Sequence, residues 1–325
     1  TDFSGDVVIG SVQTLCRRLD EVREFNPSII MVDEAHHAQA DTYKKILFNV
    51  EQAKWIGVTA TPDRTDNKDI EQIFGEPIQY SRTIRQMIKD GYLSPIISKK
   101  LFTKVDLGTI RSSGDDFSGT NLAEMVDIPE RNEFVVDKYI EHAKERKAIF
   151  FGVNVKHSEN LNQTFIDKGI KSEVIHAQMP MEIRREILDK FSKRELDVLV
   201  NCLILTEGFD DPEVSCIGMT RPTKSYSLYT QCIGRGLRIY PNKSNCLILD
   251  FTDTVQNKQK PLTLDRIIRS DPREKQEVNE EKKSGAKTRN ESCEYKIDTL
   301  NPPFIWHDLG NGIFGICDPK NYLYV

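Results

Sequence analysis

The sequence predicts an α/β protein of two parallel-sheet domains, the first incomplete at its N-terminal end, followed by a small β-rich appendage. Three observations carry this. Short Val- and Ile-rich runs alternate with segments of helical period, the pattern of a parallel sheet covered on both faces by helices. The 325 residues give room for two domains, at roughly 150 residues each. The alternation is interrupted at Gly91-Tyr92-Leu93-Ser94-Pro95, a turn signal, and then resumes.

In the first domain, residues 1–97, strands are predicted at 7–10, 28–32 and 54–59, with amphipathic helices at 12–25, 41–50 and 84–89. In the second, residues 98–262, a strand is predicted at 96–105, leading out of the turn. The alternation then runs strand 148–152, helix 156–168, strand 172–176, helix 181–193, strand 197–201, strand 214–220, helix 226–237 and strand 246–250. No element is assigned between Val105 and Ala148. Residues 263–300 are densely charged with both signs and read as a solvated linker or exposed helix. Residues 301–325 read as short strands with turns at Asn311-Gly312 and Pro319-Lys320-Asn321. Their aromatics Trp306, Phe314, Tyr322 and Tyr324 suit the core of a small β unit better than a base-stacking platform.

Composition narrows the function classes. A net charge of −5 excludes the global basic excess that announces a nucleic-acid binder, so any such contact is local. The seven cysteines form no C-x-x-C pair and most sit in apolar runs, which predicts reduced thiols in an intracellular protein. The longest apolar runs, such as 148–153, fall far short of the roughly 20 residues that span a bilayer, so no membrane partner is expected. The chain opens without Met on Thr-Asp-Phe-Ser-Gly and shows neither signal nor transit pattern; this reads as a fragment boundary.

The strongest chemical signal is Ser28-Ile-Ile-Met-Val-Asp33-Glu34-Ala35-His36-His37, a buried strand ending in two acids. Parallel sheets bind ligands at the C-terminal edge, where these carboxylates fall. There Asp33 can hold Mg2+ through its water shell, and Glu34 can orient and deprotonate an attacking water. The plain alternative is a solvated acidic loop. A metal site built on His36 and His37 finds no third ligand at useful spacing. The next strand ends in Thr59-Ala60-Thr61-Pro62, whose hydroxyls can bond Asp33 and His36 and couple the site to a second one. In the second domain, Thr206-Glu207-Gly208-Phe209-Asp210 is followed by Gln231-Cys232-Ile233-Gly234-Arg235-Gly236-Leu237-Arg238. On a helix, Arg235 and Arg238 project from one face, and the intervening glycines permit close approach of another backbone. Two guanidiniums suit a γ-phosphate; a surface helix with ordinary salt bridges is the alternative.

These segments resemble the motifs of superfamily 2 helicases. Asp33-Glu34-Ala35-His36 is similar to motif II, Thr59-Ala60-Thr61 to motif III, Thr206 to Asp210 to motif V, and Gln231 to Arg238 to motif VI. Their order and spacing over about 205 residues are those of the superfamily. Gly-Asp-Asp-Phe at 114–117, Phe151-Gly-Val, Arg221-Pro-Thr-Lys-Ser and Gly-Arg-Gly-Leu-Arg further resemble the RadD-like repair helicases and the yeast mitochondrial branch-migration helicase. The resemblance implies two RecA-like domains with ATP and Mg2+ held between them. It makes Glu34, Arg235 and Arg238 catalytic, and has Asp33, His36, Gly208, Asp210 and Gln231 face the nucleotide. It gives Thr59 and Thr61 the coupling role, and Gln13, Thr14, His176 and Thr206 the nucleic-acid contacts.

One departure is that no G-x-x-x-x-G-K-[ST] precedes the Asp-Glu strand; Gly285-Ala286-Lys287-Thr288 lies in the charged stretch without a preceding strand. The chain alone is therefore expected to bind ATP weakly and hydrolyse none, and its Asp33-bearing strand to lack a ladder partner on one edge. Motif VI carries Gln231 where RNA-remodelling DEAD-box proteins usually have His, and motif V lacks Ala-Arg-Gly; both lean towards DNA as the partner over RNA. The expectation is a DNA helicase or translocase of repair or recombination, in cytoplasm or nucleoid or, in a eukaryote, in mitochondrion or nucleus. The alternatives are a restriction or nuclease motor subunit and a non-catalytic helicase remnant.

Overall fold

Strands rich in apolar residues at every position need cover on both faces, and the second part of the chain supplies it. The computed structural model describes residues 2–38, 41–50, 52–60, 74, 78–106, 112–113, 116–117, 119–206, 208–254, 262, 264, 294–295, 305–308, 314–318 and 321–323. The chain divides into two compact units, Thr1–Ser81 and Arg82–Val325.

In the first unit, helices α1 (Val12–Arg17) and α2 (Leu19–Phe25) replace the single helix expected at 12–25. Arg18, at φ −126° and ψ 38°, leaves helical geometry and breaks the run. The Ser11 hydroxyl starts α1 by accepting from the Thr14 N–H. Strand β1 (Ile29–Val32) follows, then a 3-10 turn at Ala35–His37, α3 (Asp41–Leu47) and β2 (Lys54–Gly57). β1 pairs in parallel with β2, Ile29 opposite Lys54 through Val32 opposite Gly57. Among the described residues β2 is the ladder partner that β1 shows. Ile29 and Met31 lie on the open face, 59% and 67% exposed, while Ile30 packs with Val22, Ile46, Val50 and Ala53. The strand expected at 7–10 does not form. Val7 lies in a bend and Ile9 outside any element, both exposed and in no ladder among the described residues, so apolar content alone did not make a strand.

The second unit begins with α4 (Ile84–Lys89), closed by a capping box in which Thr83 and Gln86 bond each other's backbone N–H. This helix and the turn after it belong with the second sheet, because Ile84 and Leu93 pack on its core and the Ser94 N–H donates to Leu237 O at 2.7 Å. The division at Ser81 thus falls upstream of the hinge expected at 91–95. β3 (Ile96–Asp106) leads to a hairpin of β4 (Ser112–Ser113) and β5 (Asp116–Phe117), then α5 (Gly119–Val126) and α6 (Pro129–Ala143). The sequence reading assigned none of 107–147. β6 (Ala148–Phe151), α7 (Val155–Asp167), β7 (Ser172–Ile175), α8 (Met181–Ser192), β8 (Val198–Asn201), β9 (Cys216–Met219), α9 (Tyr226–Gly234) and β10 (Cys246–Thr254) complete the alternation. The six strands form one all-parallel sheet in the order β3-β10-β9-β6-β8-β7.

Period-2 alternation sorts the strand residues between two cores. Ile149, Phe151, Leu199, Ile217 and Ile248 face α8 and α9 through Ile187, Phe191, Tyr229 and Ile233. Phe150, Val198, Val200, Leu247 and Leu249 face α6 and α7 through Val135, Tyr139, Leu161 and Phe165. Cys216, Cys232 and Cys246 are buried free thiols, and burial raises the pKa of each, that of Cys246 to about 12. They behave as small apolar groups. The C-terminal strands β11 (Glu294–Tyr295), β12 (Ile305–Asp308), β13 (Phe314–Asp318) and β14 (Asn321–Leu323) form an antiparallel sheet in that order. The side chains of Trp306, Phe314 and Tyr322, and all of Tyr324, lie outside the described residues. No described helix is long and apolar enough to cross a membrane.

Candidate functional site

The acidic turn is built from the end of β1. Asp33 is exposed, and its Oδ1 accepts from the Glu34 N–H at 2.9 Å. Glu34 stands in the left-handed region, φ 48° and ψ 49°, where a non-glycine residue is uncommon. The Ala35 N–H donates to Val58 O, and the Val58 N–H to Val32 O, both at 2.9 Å, so the turn is stitched to the chain leaving β2. Buried His36 places Nδ1 2.9 Å from Thr59 Oγ1 and 3.3 Å from Glu34 Oε2. Nδ1 hydrogen-bonds the Thr59 hydroxyl, as donor or acceptor according to the tautomer, and stands beside the Glu34 carboxylate, with which it pairs as an ion when the imidazole is protonated. Thr59 meets His36 and not Asp33, whose described bond is to Glu34. Thr61 lies outside the described residues.

A single exposed carboxylate is a fitting ligand for Mg2+, which keeps several waters and takes substrate phosphates as further ligands. No group of three or more His, Cys, Asp or Glu able to cage a metal occurs among the described residues. The donor set therefore suits Mg2+ held by Asp33 through water, and His36 is engaged elsewhere.

In the second unit the loop after β8 starts from buried Asn201. Its Nδ2 donates to Phe150 O at 3.1 Å, and its Oδ1 accepts from the Leu205 N–H at 3.4 Å. The buried Thr206 hydroxyl donates to Leu203 O at 2.9 Å. Gly208 has φ +70°, and no atom lies within 4 Å of where a Cβ would stand, so its backbone is open to approach. Glu207 lies outside the described residues.

The arginines depart from the expected helix face. α9 ends at Gly234 with Arg235 as its C-cap, and Arg238 lies beyond the helix. Just past the helix end Gly236 is tightly packed: a Cβ there would stand 2.5 Å from Cys246 Sγ and 2.7 Å from Ile217 Cγ1. The glycine lets the chain settle on the sheet's own side chains, not on another backbone, and beside Gly234 there is open space. Arg235 turns inward and donates from Nη1 to Phe209 O at 2.5 Å and from Nη2 to Thr206 O at 2.7 Å, joining the two motif-bearing loops. Arg238 faces solvent, its Nε 3.5 Å from Asp210 Oδ1, with both side chains more than half exposed. Half-buried Gln231 lies on α9 itself.

Of the residues expected to touch nucleic acid, Gln13 is exposed on α1 beside Thr14, whose Oγ1 is 2.9 Å from Ser11 Oγ. His176 and Thr206 are largely buried. His176 Nε2 is 3.7 Å from Glu159 Oε1, and the exposed residues of its turn are Ala177 and Gln178. Sequence reasoning missed Asn201, which lacked a motif to mark it. It also missed fully buried His157, whose Nδ1 accepts from the Val153 N–H at 3.1 Å. Burial, with Arg131 nearby, pushes the His157 pKa down to about 3.

Residues 130–240 match the family of the helicase conserved C-terminal domain, and residues 1–64 that of the type III restriction enzyme res subunit. The protein named ATP-dependent helicase Irc3 in Saccharomyces cerevisiae is 37% identical over 256 residues, 76% of this chain and 37% of that protein. The chain belongs to the superfamily 2 helicases. A mitochondrial ATP-dependent helicase Irc3 of Schizosaccharomyces pombe is 34% identical over 260 residues, 77% of this superfamily 2 chain and 42% of the relative. The chain thus spans about two fifths of the length of these relatives. Among solved structures, a fragment of an HsdR subunit of a type I restriction enzyme from Vibrio vulnificus matches with TM-score 0.56 and 25% identity, over 69% of this chain and 43% of that one. Yeast Dbp5 bound to RNA and ADP BeF3, 14% identical at TM-score 0.54 over 76% and 59% of the two chains, shares the fold. The RecA-like expectation for this superfamily 2 chain is thereby met, with six parallel strands in its larger sheet.

Proposed function

We propose that the protein is an ATP-dependent helicase or translocase acting on DNA, in repair or recombination, inside the cell. The observation that carries this reading is His36, which hydrogen-bonds Thr59 at the end of the neighbouring strand and lies 3.3 Å from the Glu34 carboxylate. Such a link lets a change at the nucleotide reach a second site. Glu34 orients the attacking water and takes its proton; Asp33 holds Mg2+, which when bound offsets the negative charge of the phosphates. Gly208 offers open backbone, with Asp210 and Gln231 as its polar neighbours at the nucleotide. Arg238, exposed at the end of motif VI, meets the γ-phosphate, while Arg235 holds the loop of Thr206 to Phe209 in place. Gln13, Thr14 and the His176 turn lie along the nucleic-acid strand. DNA is favoured over RNA by Gln231 and by the motif V sequence. The mitochondrial name of one relative supports a mitochondrial site of action if the source is a eukaryote.

The match of residues 1–64 to a restriction-enzyme family, and the HsdR likeness, favour a second reading as the motor of a restriction complex. Hydrolysis of ATP by the full-length protein, with single-stranded, forked and four-way DNA compared against RNA, tests both. Glu34→Gln is expected to abolish turnover and leave nucleotide binding intact. Turnover near wild type in that variant removes Glu34 from the mechanism, and stronger stimulation by RNA reverses the DNA assignment. Cleavage of the DNA by a co-purifying nuclease subunit would favour the restriction reading.

A further inference from the structure

The β4–β5 hairpin, which the motifs of the resemblance leave without a role, ends in a carboxylate with an unusual number of partners. Asp116 Oδ1 accepts from the Lys224 N–H at 2.8 Å and from the Phe117 N–H at 2.8 Å. Its Oδ2 accepts from the Thr223 hydroxyl at 2.8 Å and lies 3.6 Å from Arg221 Nη2. The ring of buried Phe117 lies under the Lys224 ammonium, 4.4 Å from centroid to nitrogen, and packs with Leu122, Val126 and Val153. One residue of the hairpin therefore meets Arg221, Thr223 and Lys224 of the loop that leads into the helix.

That loop starts α9. Thr223 Oγ1 accepts from the Ser225 N–H at 3.0 Å, and Ser225 caps the helix by accepting from the Leu228 N–H at 3.3 Å. Farther along, the Tyr229 hydroxyl reaches buried Asp250 at 2.7 to 2.8 Å, and Gly236 seats the far end on the sheet. The axis of the helix is set jointly by the Tyr229–Asp250 bonds at its middle, the packing of Gly236 past its far end, and the hairpin, with the Leu262 N–H on Thr223 O at 2.7 Å, at its near end. At about 1.5 Å per residue, nine residues make a rod of about 14 Å, so a tilt of about 4° at the cap moves the arginine end by about 1 Å. A displacement of that size at a reacting group can cost on the order of 100-fold in rate.

We propose that Asp116 is a positioning residue for motif VI: by gripping Thr223 and Lys224 it sets the axis of α9 and hence the placement of Arg235 and Arg238. This deepens the proposed function and rests on the arginines acting at the nucleotide. Asp116 acts through the helix and touches no substrate.

The test compares wild type, Asp116→Ala, Asp116→Asn and Glu34→Gln in the full-length protein, reading DNA-stimulated ATPase and amide hydrogen exchange. Asp116→Ala is expected to lower kcat by about tenfold or more while KM for ATP stays within about twofold, since alignment is felt in the transition state. Asp116→Asn keeps an acceptor for the Lys224 N–H and a group that can bond Thr223 Oγ1, so it should recover kcat to within about threefold of wild type. Exchange should quicken in residues 226–234 and stay unchanged in β6 and β8. A normal kcat in Asp116→Ala overturns the inference. So does a joint loss of kcat, KM and protection across the whole sheet without recovery in Asp116→Asn, which marks plain structural support. If wild type and Glu34→Gln turn over ATP equally, the reading of the acidic turn itself fails and the inference falls with it, a pattern distinct from the other two.

Discussion

β1 and β6 are both four-residue strands in parallel ladders, Ile-Ile-Met-Val against Ala-Ile-Phe-Phe, and their environments differ completely. Every residue of β6 is buried, with β8 and β9 on its two edges and helices over both faces. β1 has one ladder neighbour among the described residues and turns Ile29 and Met31 to solvent. The strands' own composition does not separate them. Burial of a parallel strand is conferred by its neighbours, and the apolar run records only that the strand can accept such cover.

The sharpest way to break this comparison is to separate the units. Residues 82–264, expressed alone, should unfold cooperatively in urea with a stability in the usual range of about 5 to 15 kcal/mol, because all six strands and both cores lie within them. Residues 1–81 alone should show a broad transition. A sharp transition from the shorter piece would mean that the β1–β2 pair and its helices form a sufficient core. The boundary matters, since starting at Leu101 would cut β3, whose first residue Ile96 pairs with Cys246.

A finer comparison uses single side chains. Ile149→Ala, in fully buried β6, should cost about 2 to 5 kcal/mol, whereas Met31→Ala, on the open face of β1, should stay within about 0.5 kcal/mol. Equal losses measured by denaturant titration of the full chain would show that the face of β1 is covered in solution.

The remaining expected difference is in acid sensitivity. His157 lies neutral in the second unit, its pKa depressed by burial to about 3 from 6.5. The unfolded chain takes up a proton as pH falls below 6.5 and the folded one does not, so stability present above that pH is lost between 6.5 and about 3. The slope from this one group is at most about 1.4 kcal/mol per pH unit. His157→Gln should flatten the curve in that window for residues 82–264. An unchanged slope would assign the acid sensitivity to other groups.

Much of the second sheet was legible because two-sided burial writes itself as unbroken apolar runs, such as 148–151 and 198–200, between helices of clear period. The region from 107 to 147 was not legible. Helix α6 buries Arg131 and Asn132 alongside its apolar residues, so its inward face does not read as a stripe. Arg131 earns that place by donating to Thr220 O at 3.1 Å, a contact distant in sequence. At the site, the His36–Thr59 pairing followed from a strand end and its neighbour. The different fates of Arg235 and Arg238 did not, because Arg235 is held by the Phe209 and Thr206 carbonyls, distant in sequence, while Arg238 meets exposed Asp210. The same holds for Asp116, whose partners lie more than a hundred residues downstream.

The left-handed backbone at Glu34 separates two properties that are usually lost together. An L-residue with a Cβ gives up about 1 to 2 kcal/mol to stand in that region, and glycine gives up almost none. Glu34→Gln removes the charge and keeps that conformational debt, while Glu34→Gly removes both, less the entropy glycine adds to the unfolded chain. Loss of the carboxylate charge at this position can therefore leave a protein as sturdy as the parent.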